Sequence, residues 1–209
     1  PNQQVGELIM DTNPLERERG ITILAKNTAL TYKGVKINII DTPGHADFSG
    51  EVERIMNMVD GCLLVVDGVD GTMPRTRYVL QQALRQGVTP MVVINKIDRP
   101  EARVPKVVAL VQDLFLEIAT ETAQLDFPIL FASARQAYAI ADLDDPRQDM
   151  QPLFDAILEV IPPPSGDPDA PLQMLVAALD YDNYLGQIAI GRVFRGNIHL
   201  RESVALMGR

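Results

Sequence analysis

Cysteine is nearly absent. Cys62 stands alone among 209 residues, so no disulfide can close within the chain, and a reducing, cytoplasmic setting is expected. No apolar run approaches the ~18 residues of a membrane span, and no signal-peptide pattern opens the chain. Positive charge is also short. Lys and Arg number 19 against 28 Asp and Glu, a net charge of −9, which argues against broad electrostatic binding of nucleic acid by this segment alone but leaves room for a local RNA contact within a larger assembly. No internal repeat is evident. What is present has a globular balance: 46% hydrophobic and 22% charged residues exclude a disordered chain, a coiled coil and a collagen-like repeat. A core of this size buries roughly 70% of the unfolded chain's surface and needs no staples. The opening Pro1-Asn2-Gln3-Gln4 and the closing Leu206-Met207-Gly208-Arg209 read as a chain cut at both ends.

The order of patterns predicts alternating strands and helices. Residues 1–20 are polar, with a turn signal at Asp11-Thr12-Asn13-Pro14. Val35–Ile40 reads as a strand broken by Asp41-Thr42-Pro43-Gly44, and 51–60 has helical spacing. Gly61–Val66 is a continuous apolar run, expected of a strand covered on both faces. Met73-Pro74 opens a helix, Met91–Ile94 is a second buried strand, and Pro105 starts a helix with an apolar stripe through Val107, Val111, Leu114 and Phe115. Ile129–Ala132 is a third buried strand, and Leu153 to Ile161 mark a last helix. Such alternation means an α/β domain with a mostly parallel sheet, expected over residues 1–161. The proline-rich stretch 162–170 reads as a stiff linker. From 171 to 209 the rhythm becomes short strands, near 172–180, 185–195 and 203–207, the beginning of an incomplete antiparallel β-domain.

Ligand chemistry in open α/β sheets gathers at the carboxyl ends of the strands. Three strands end in unusual text: Asp41-Thr42-Pro43-Gly44-His45, Asn95-Lys96-Ile97-Asp98 and Ser133-Ala134. Each alone is a short string; a strand-end Asp more often caps a turn than binds a metal, and Ser133-Ala134 alone has almost no specificity. Their order and shared position after buried strands carry the signal.

Together these strings resemble the third, fourth and fifth signature motifs of GTP-binding domains. Arg19-Gly20-Ile21-Thr22-Ile23 resembles the switch-I motif of translational GTPases. The text from Glu16 to Thr28, then Gly44-His45-Ala46-Asp47-Phe48 and Met73-Pro74-Arg75-Thr76-Arg77, is similar to the TypA/BipA family of ribosome-associated GTPases, and similarity extends to Leu179-Asp180-Tyr181 and Gly191-Arg192-Val193. The resemblance implies a P-loop-type GTPase domain followed by the start of a translation-factor β-barrel. It implies that Asp98 accepts the paired N–H donors of guanine, that Asn95 holds the base and neighbouring loops, that the Lys96 stem packs on the purine, and that Ser133-Ala134 brings a backbone N–H to guanine O6. It implies Thr22 and Asp41 as the Mg²⁺ residues, the latter through water, Thr22 and Gly44 as sensors of the γ-phosphate, and His45 as the residue positioning the attacking water. A lone histidine is ordinarily a surface or capping residue; directly after Asp41-Thr42-Pro43-Gly44 the family role is the better reading. Implied partners are GTP or GDP and the ribosome, with an rRNA contact near the switch regions, no membrane and no DNA, for a protein that is a monomer when intact. The implied process is ribosome assembly or stress-related translation, with slow intrinsic hydrolysis.

Two departures stand out. The Gly-x-x-x-x-Gly-Lys-[Ser/Thr] phosphate loop, upstream of switch I in the family, is not within residues 1–209, so these residues by themselves are expected to bind GTP weakly. Arg135 follows Ser133-Ala134 where Lys or Leu is commoner. A non-hydrolysing scaffold of GTPase ancestry and a fragment of an elongation factor G-like translocase remain the alternatives; an ATPase or kinase is disfavoured by Asn95-Lys96-Ile97-Asp98.

Overall fold

A computed structural model describes residues 26–42 and 49–207. The chain divides into two compact units between Pro162 and Pro163. In the first, β1 (Lys26–Tyr32) and β2 (Val35–Asp41) form an antiparallel hairpin with Tyr32 opposite Val35 and Lys26 opposite Asp41. Its two-residue turn, Lys33-Gly34, holds both residues at positive φ, 48° and 80°, the backbone twist that a tight hairpin demands.

The main sheet contains β3 (Gly61–Asp67), β4 (Thr89–Asn95), β5 (Ile129–Ser133) and β6 (Tyr138–Ile140), in that spatial order. The pairs β3–β4 and β4–β5 are parallel, and β5–β6 is antiparallel. Helices α2 (Pro74–Arg85) and α3 (Val104–Ile118) make the parallel crossovers, as parallel neighbours require. Helix α1 (Ser49–Met56) precedes the sheet, and α4 (Gln151–Val160) closes the unit.

Side-chain alternation along the strands builds a core on each sheet face. One face carries Leu64, Val66, Val92 and Ile94 against Leu80 and Leu84 of α2 and Val107, Val111, Leu114 and Phe115 of α3. The opposite face packs Met91, Val93, Leu130, Ala132 and Ala139 against Leu153 of α4. A smaller cluster joins Val52 and Met56 of α1 to Ala83 and Val88. The sheet is thus flanked by helices on both faces. Full burial of each large side chain contributes roughly 1.5–3 kcal/mol, and Leu80, Met91, Ile94 and Phe115 are wholly inaccessible.

Several sequence expectations need correction. The strand β4 is covered on both faces, as its apolar run demands, but β3 is not: Val65 is 58% exposed while Leu64 and Val66 are buried. Among the described residues β3 pairs only with β4, and none of them covers Val65 on its side of the pleat. Helix α1 is shorter than 51–60, because Met58 N–H closes a turn on Ile55 O at 2.8 Å. Strand β1 was not anticipated, since Lys26-Asn27-Thr28-Ala29 lacks an apolar alternation. The anticipated strand at 203–207 does not form. Its alternation is present, but Val204, Leu206 and Met207 are exposed, and a strand needs a hydrogen-bonded partner as well as a pattern.

In the second unit β7 (Gln173–Asp182) and β8 (Gly186–Arg195) are antiparallel. Asp182 Oδ1 accepts the N–H groups of Tyr184 and Leu185, each at 2.8 Å, and closes the hairpin. Gly191 is required here: a Cβ at that position would lie 1.9 Å from Leu175 O on the partner strand. The proline-rich segment has neither helix nor strand, and Gly196 N–H fastens it beside the end of β8 by donating to Asp167 O at 2.9 Å.

Candidate functional site

Parallel register sets three strand ends side by side. Asp67 at the end of β3 lies directly opposite Asn95 at the end of β4, and β5 delivers Ser133 at its own carboxyl end. Each strand end must satisfy backbone groups that no longer have a ladder partner, and the polar side chains at these ends do so.

Asn95 Oδ1 accepts two N–H groups, from Lys96 at 2.8 Å and from Ala134 at 3.0 Å. The amide therefore ties the loop after β4 to the loop after β5, and with both lone pairs committed its Nδ2 donors are what it can offer a ligand. The Ala134 N–H, which the family resemblance assigns to guanine O6, donates to Asn95 in this structure, so a base would share or replace that acceptor.

Ser133 is fully buried, the only polar residue in that class among the described residues. Its hydroxyl accepts the N–H of Gln136 at 3.2 Å and hydrogen-bonds to Asp98. That bond is the leading reason the Asp98 carboxyl is held below the ordinary carboxylate range; its own backbone N–H and the charges of Arg135 and Arg99 add to the effect. The side chain of Asp98 is half-buried. An ionised carboxylate fixed in this way accepts hydrogen bonds only, which suits a ligand edge presenting adjacent N–H donors.

Lys96 adopts φ 65°, a left-handed conformation that costs a non-glycine residue roughly 1–3 kcal/mol. Its ammonium pairs with Asp67 Oδ2. The other oxygen of Asp67 accepts Val69 N–H at 2.8 Å and Asp70 N–H at 3.4 Å. Burial raises the Asp67 pKa, but Lys96 and the two N–H groups outweigh that and hold it below the ordinary range. The same turn is sewn to the neighbouring elements: Gly68 N–H donates to Asn95 O, and Arg103 N–H donates to Gly68 O, both at 2.8 Å. Sequence reasoning missed Asp67. The signal was available, because Asp67 ends an apolar strand as Asp41 and Asn95 do.

The structure thus joins Asn95, Lys96, Asp98, Ser133 and Ala134 in one network. Asp41 stands elsewhere, half-buried at the last position of β2 in the separate hairpin sheet. That hairpin is pinned at its turn to α4, where Lys33 Nζ meets Asp155 Oδ1 at 2.6 Å and the Tyr32 and Phe154 rings lie 5.3 Å apart. Thr22, Gly44 and His45 lie outside the described residues. Among the described residues no helix is long and apolar enough to cross a membrane.

Comparison with known proteins follows the same lines. The family model for the elongation factor Tu GTP binding domain matches residues 2–163. The chain is 54% identical over 205 residues to the large ribosomal subunit assembly factor BipA of Synechocystis sp., covering 98% of this chain and 34% of that protein. It is 54% identical over 206 residues to the factor of the same name from Bacillus subtilis, covering 99% and 34%. Identity to that of Salmonella typhimurium is 54% over 201 residues, covering 96% and 33%. The chain spans about a third of the length of these curated relatives.

Proposed function

Because the chain belongs to the family of elongation factor Tu-type GTP-binding domains, we propose that it is the guanine-reading and switch-bearing part of a GTP-hydrolysing factor that acts on the ribosome, in assembly of the large subunit. The observation that carries this reading is the fixed Asp98 carboxylate, held by buried Ser133 and set beside the Asn95–Ala134 bridge. Guanine presents N1–H and N2–H₂ side by side, and Asp98 accepts from both. Adenine lacks that donor pair and would leave the carboxylate unpaired in a half-buried slot; sites built on this logic discriminate by roughly 10⁴–10⁵. Asn95 orients the base with its remaining donors, and the Lys96 stem covers one face of the ring.

For hydrolysis the protein supplies position and charge stabilisation rather than covalent chemistry. His45 orients the attacking water. Thr22 and Gly44 meet the γ-phosphate, and loss of that phosphate removes both contacts. Mg²⁺ takes hard oxygen ligands and keeps several waters. The Asp41 carboxylate, half-buried at the end of β2, and the Thr22 hydroxyl are donors of that type and fit such an ion. When bound it would neutralise charge on the nucleotide's phosphates. The large-subunit role is argued from relatives that are large ribosomal subunit assembly factors, and the cytoplasm is the compartment that such a role implies. Stress-related translation is a further context for the same activity.

The test is a competitive titration of GTP against ATP on the full-length gene product, followed by hydrolysis with and without ribosomes. Preference for GTP with ribosome-stimulated hydrolysis is the expected result. Equal affinity for the two nucleotides would sink the assignment of Asp98. Tight GTP binding without any stimulated hydrolysis would favour a scaffold.

A further inference from the structure

The pair between Lys96 and Asp67 has no place in the reading above, which uses only the stem of the lysine. A lysine side chain loses substantial rotamer entropy when it is ordered, so a freely swinging Lys96 would be a poor wall for a base. Asp67 removes that freedom. It is opposite Asn95 in the parallel register, so an ammonium that reaches it must carry its stem from the end of β4 across to the end of β3. The lysine is anchored at both ends: its N–H donates to Asn95 Oδ1 at 2.8 Å, and its ammonium meets Asp67 Oδ2. Between those anchors lies an apolar chain of methylenes along the carboxyl edge of the sheet.

Asp67 is itself immobilised. Its side chain is 20% exposed, its Oδ1 accepts two N–H groups of the turn that follows, and that turn is bonded to Asn95 O through Gly68 N–H. The carboxylate also neutralises the ammonium, so Lys96 is spent as a wall rather than offered to a phosphate.

We propose that Asp67 is a positioning residue for the nucleotide base, acting through Lys96 by stretching its stem into a fixed apolar wall of the base slot. The proposal rests on the assignment of Asn95, Lys96 and Asp98 to guanine. It makes the end of β3 a working part of the site.

The experiment is a double-mutant cycle on the full-length gene product, reading GDP affinity and dissociation rate, together with ribosome-stimulated hydrolysis. Asp67→Asn keeps an oxygen to cap the turn while removing the charge that holds Lys96; Lys96→Met keeps the stem while removing the ammonium. Asp67→Asn is expected to weaken GDP binding about 10-fold, within the range for coupled neighbours, and to raise KM for GTP with kcat unchanged. In the Lys96→Met background the same Asp67 substitution is expected to add nothing. Wild-type affinity in either single variant overturns the proposal. So do additive losses, which would mean that the Asp67 charge acts on binding independently of Lys96. If Asp67→Asn fails to fold, Lys96→Met alone decides, since unchanged affinity there leaves the pair without a role. A wild-type protein indifferent to guanine overturns the base-site reading and this proposal with it, whereas guanine preference with unaffected variants overturns this proposal alone.

Discussion

Replacing Ser133 by alanine tests the centre of the network, because one buried hydroxyl serves two partners there. The substitution removes a single oxygen from a wholly inaccessible position, so it opens little space and its effect is almost purely one of hydrogen bonding. Gln136 N–H loses its acceptor, which is worth about 1 kcal/mol. Asp98 loses the donor that contributes most to its lowered pKa. The sign of the second effect follows from linkage. A carboxyl whose folded pKa lies below its unfolded value of about 3.9 contributes stability that is present above that value and lost as pH falls through the folded pKa. In the alanine variant the folded pKa moves back toward the unfolded one and this contribution shrinks. The destabilisation by Ser133→Ala is therefore largest near neutral pH and smaller below pH about 4, where the wild type has lost part of the same stabilisation.

Urea unfolding of both proteins at neutral pH and at a pH in the low threes measures this directly, using the full-length gene product. Guanine-nucleotide affinity at neutral pH should fall with it, because Asp98 is no longer aimed. A destabilisation of equal size at both pH values would refute the link between Ser133 and Asp98. So would unchanged guanine-nucleotide affinity in a well-folded variant.

Three further substitutions separate base, catalysis and core. Asp98→Asn should weaken GTP binding and shift preference toward xanthine nucleotides, whose edge has an acceptor in place of the amino donor; competition between GTP and XTP measures the exchange. His45→Ala should lower ribosome-stimulated hydrolysis by roughly 10²–10⁴ with little change in GTP affinity, and a wild-type rate would refute its catalytic role. Phe115→Ala removes a wholly buried ring between α3 and the sheet and should cost about 3–5 kcal/mol, seen as a lower urea midpoint with an unchanged slope.

How much of this was legible in the sequence depended on how local the signal was. The strand β4 and the helix α3 were plain, because an apolar run or stripe reports burial that the structure indeed gives to Met91–Ile94 and to Val107, Val111 and Phe115. Strand β1 was not, because Lys26-Asn27-Thr28-Ala29 opens it without an apolar alternation; the Lys33-Gly34 turn was the better clue, since a glycine there supplies the positive φ that a tight hairpin needs. Strand β6 is three residues long and forms only because Phe131 and Ser133 offer it an edge, a tertiary fact with no periodicity of its own. The run at 203–207 erred in the other direction, with a pattern but no partner. Within the network, Asn95, Lys96 and Asp98 stood in one short string and were named together. Ser133 carried almost no information alone, and its importance comes from being buried against Asp98, a contact across 35 residues of sequence that only folding creates.

The residues that would read a base are also the ones that close the strand ends. Asn95 accepts backbone N–H groups from both loops, Ser133 accepts another, and Asp67 caps a turn. A buried backbone group left without its partner costs about 1–3 kcal/mol, so substitutions here change stability and affinity together, and a loss of nucleotide binding alone does not identify a contact with nucleotide. Substitutions that keep the backbone acceptor while changing charge avoid the confusion. Asp67→Asn retains an oxygen for Val69, and Asp98→Asn alters a side chain held chiefly by the Ser133 hydroxyl rather than by the strand ladder. For these two the backbone caps stay in place while a charge is lost, at Asp98 from the group that would meet the ligand and at Asp67 from the partner that holds Lys96. Comparing their urea midpoints with their nucleotide affinities then separates what each does for folding from what it does for binding.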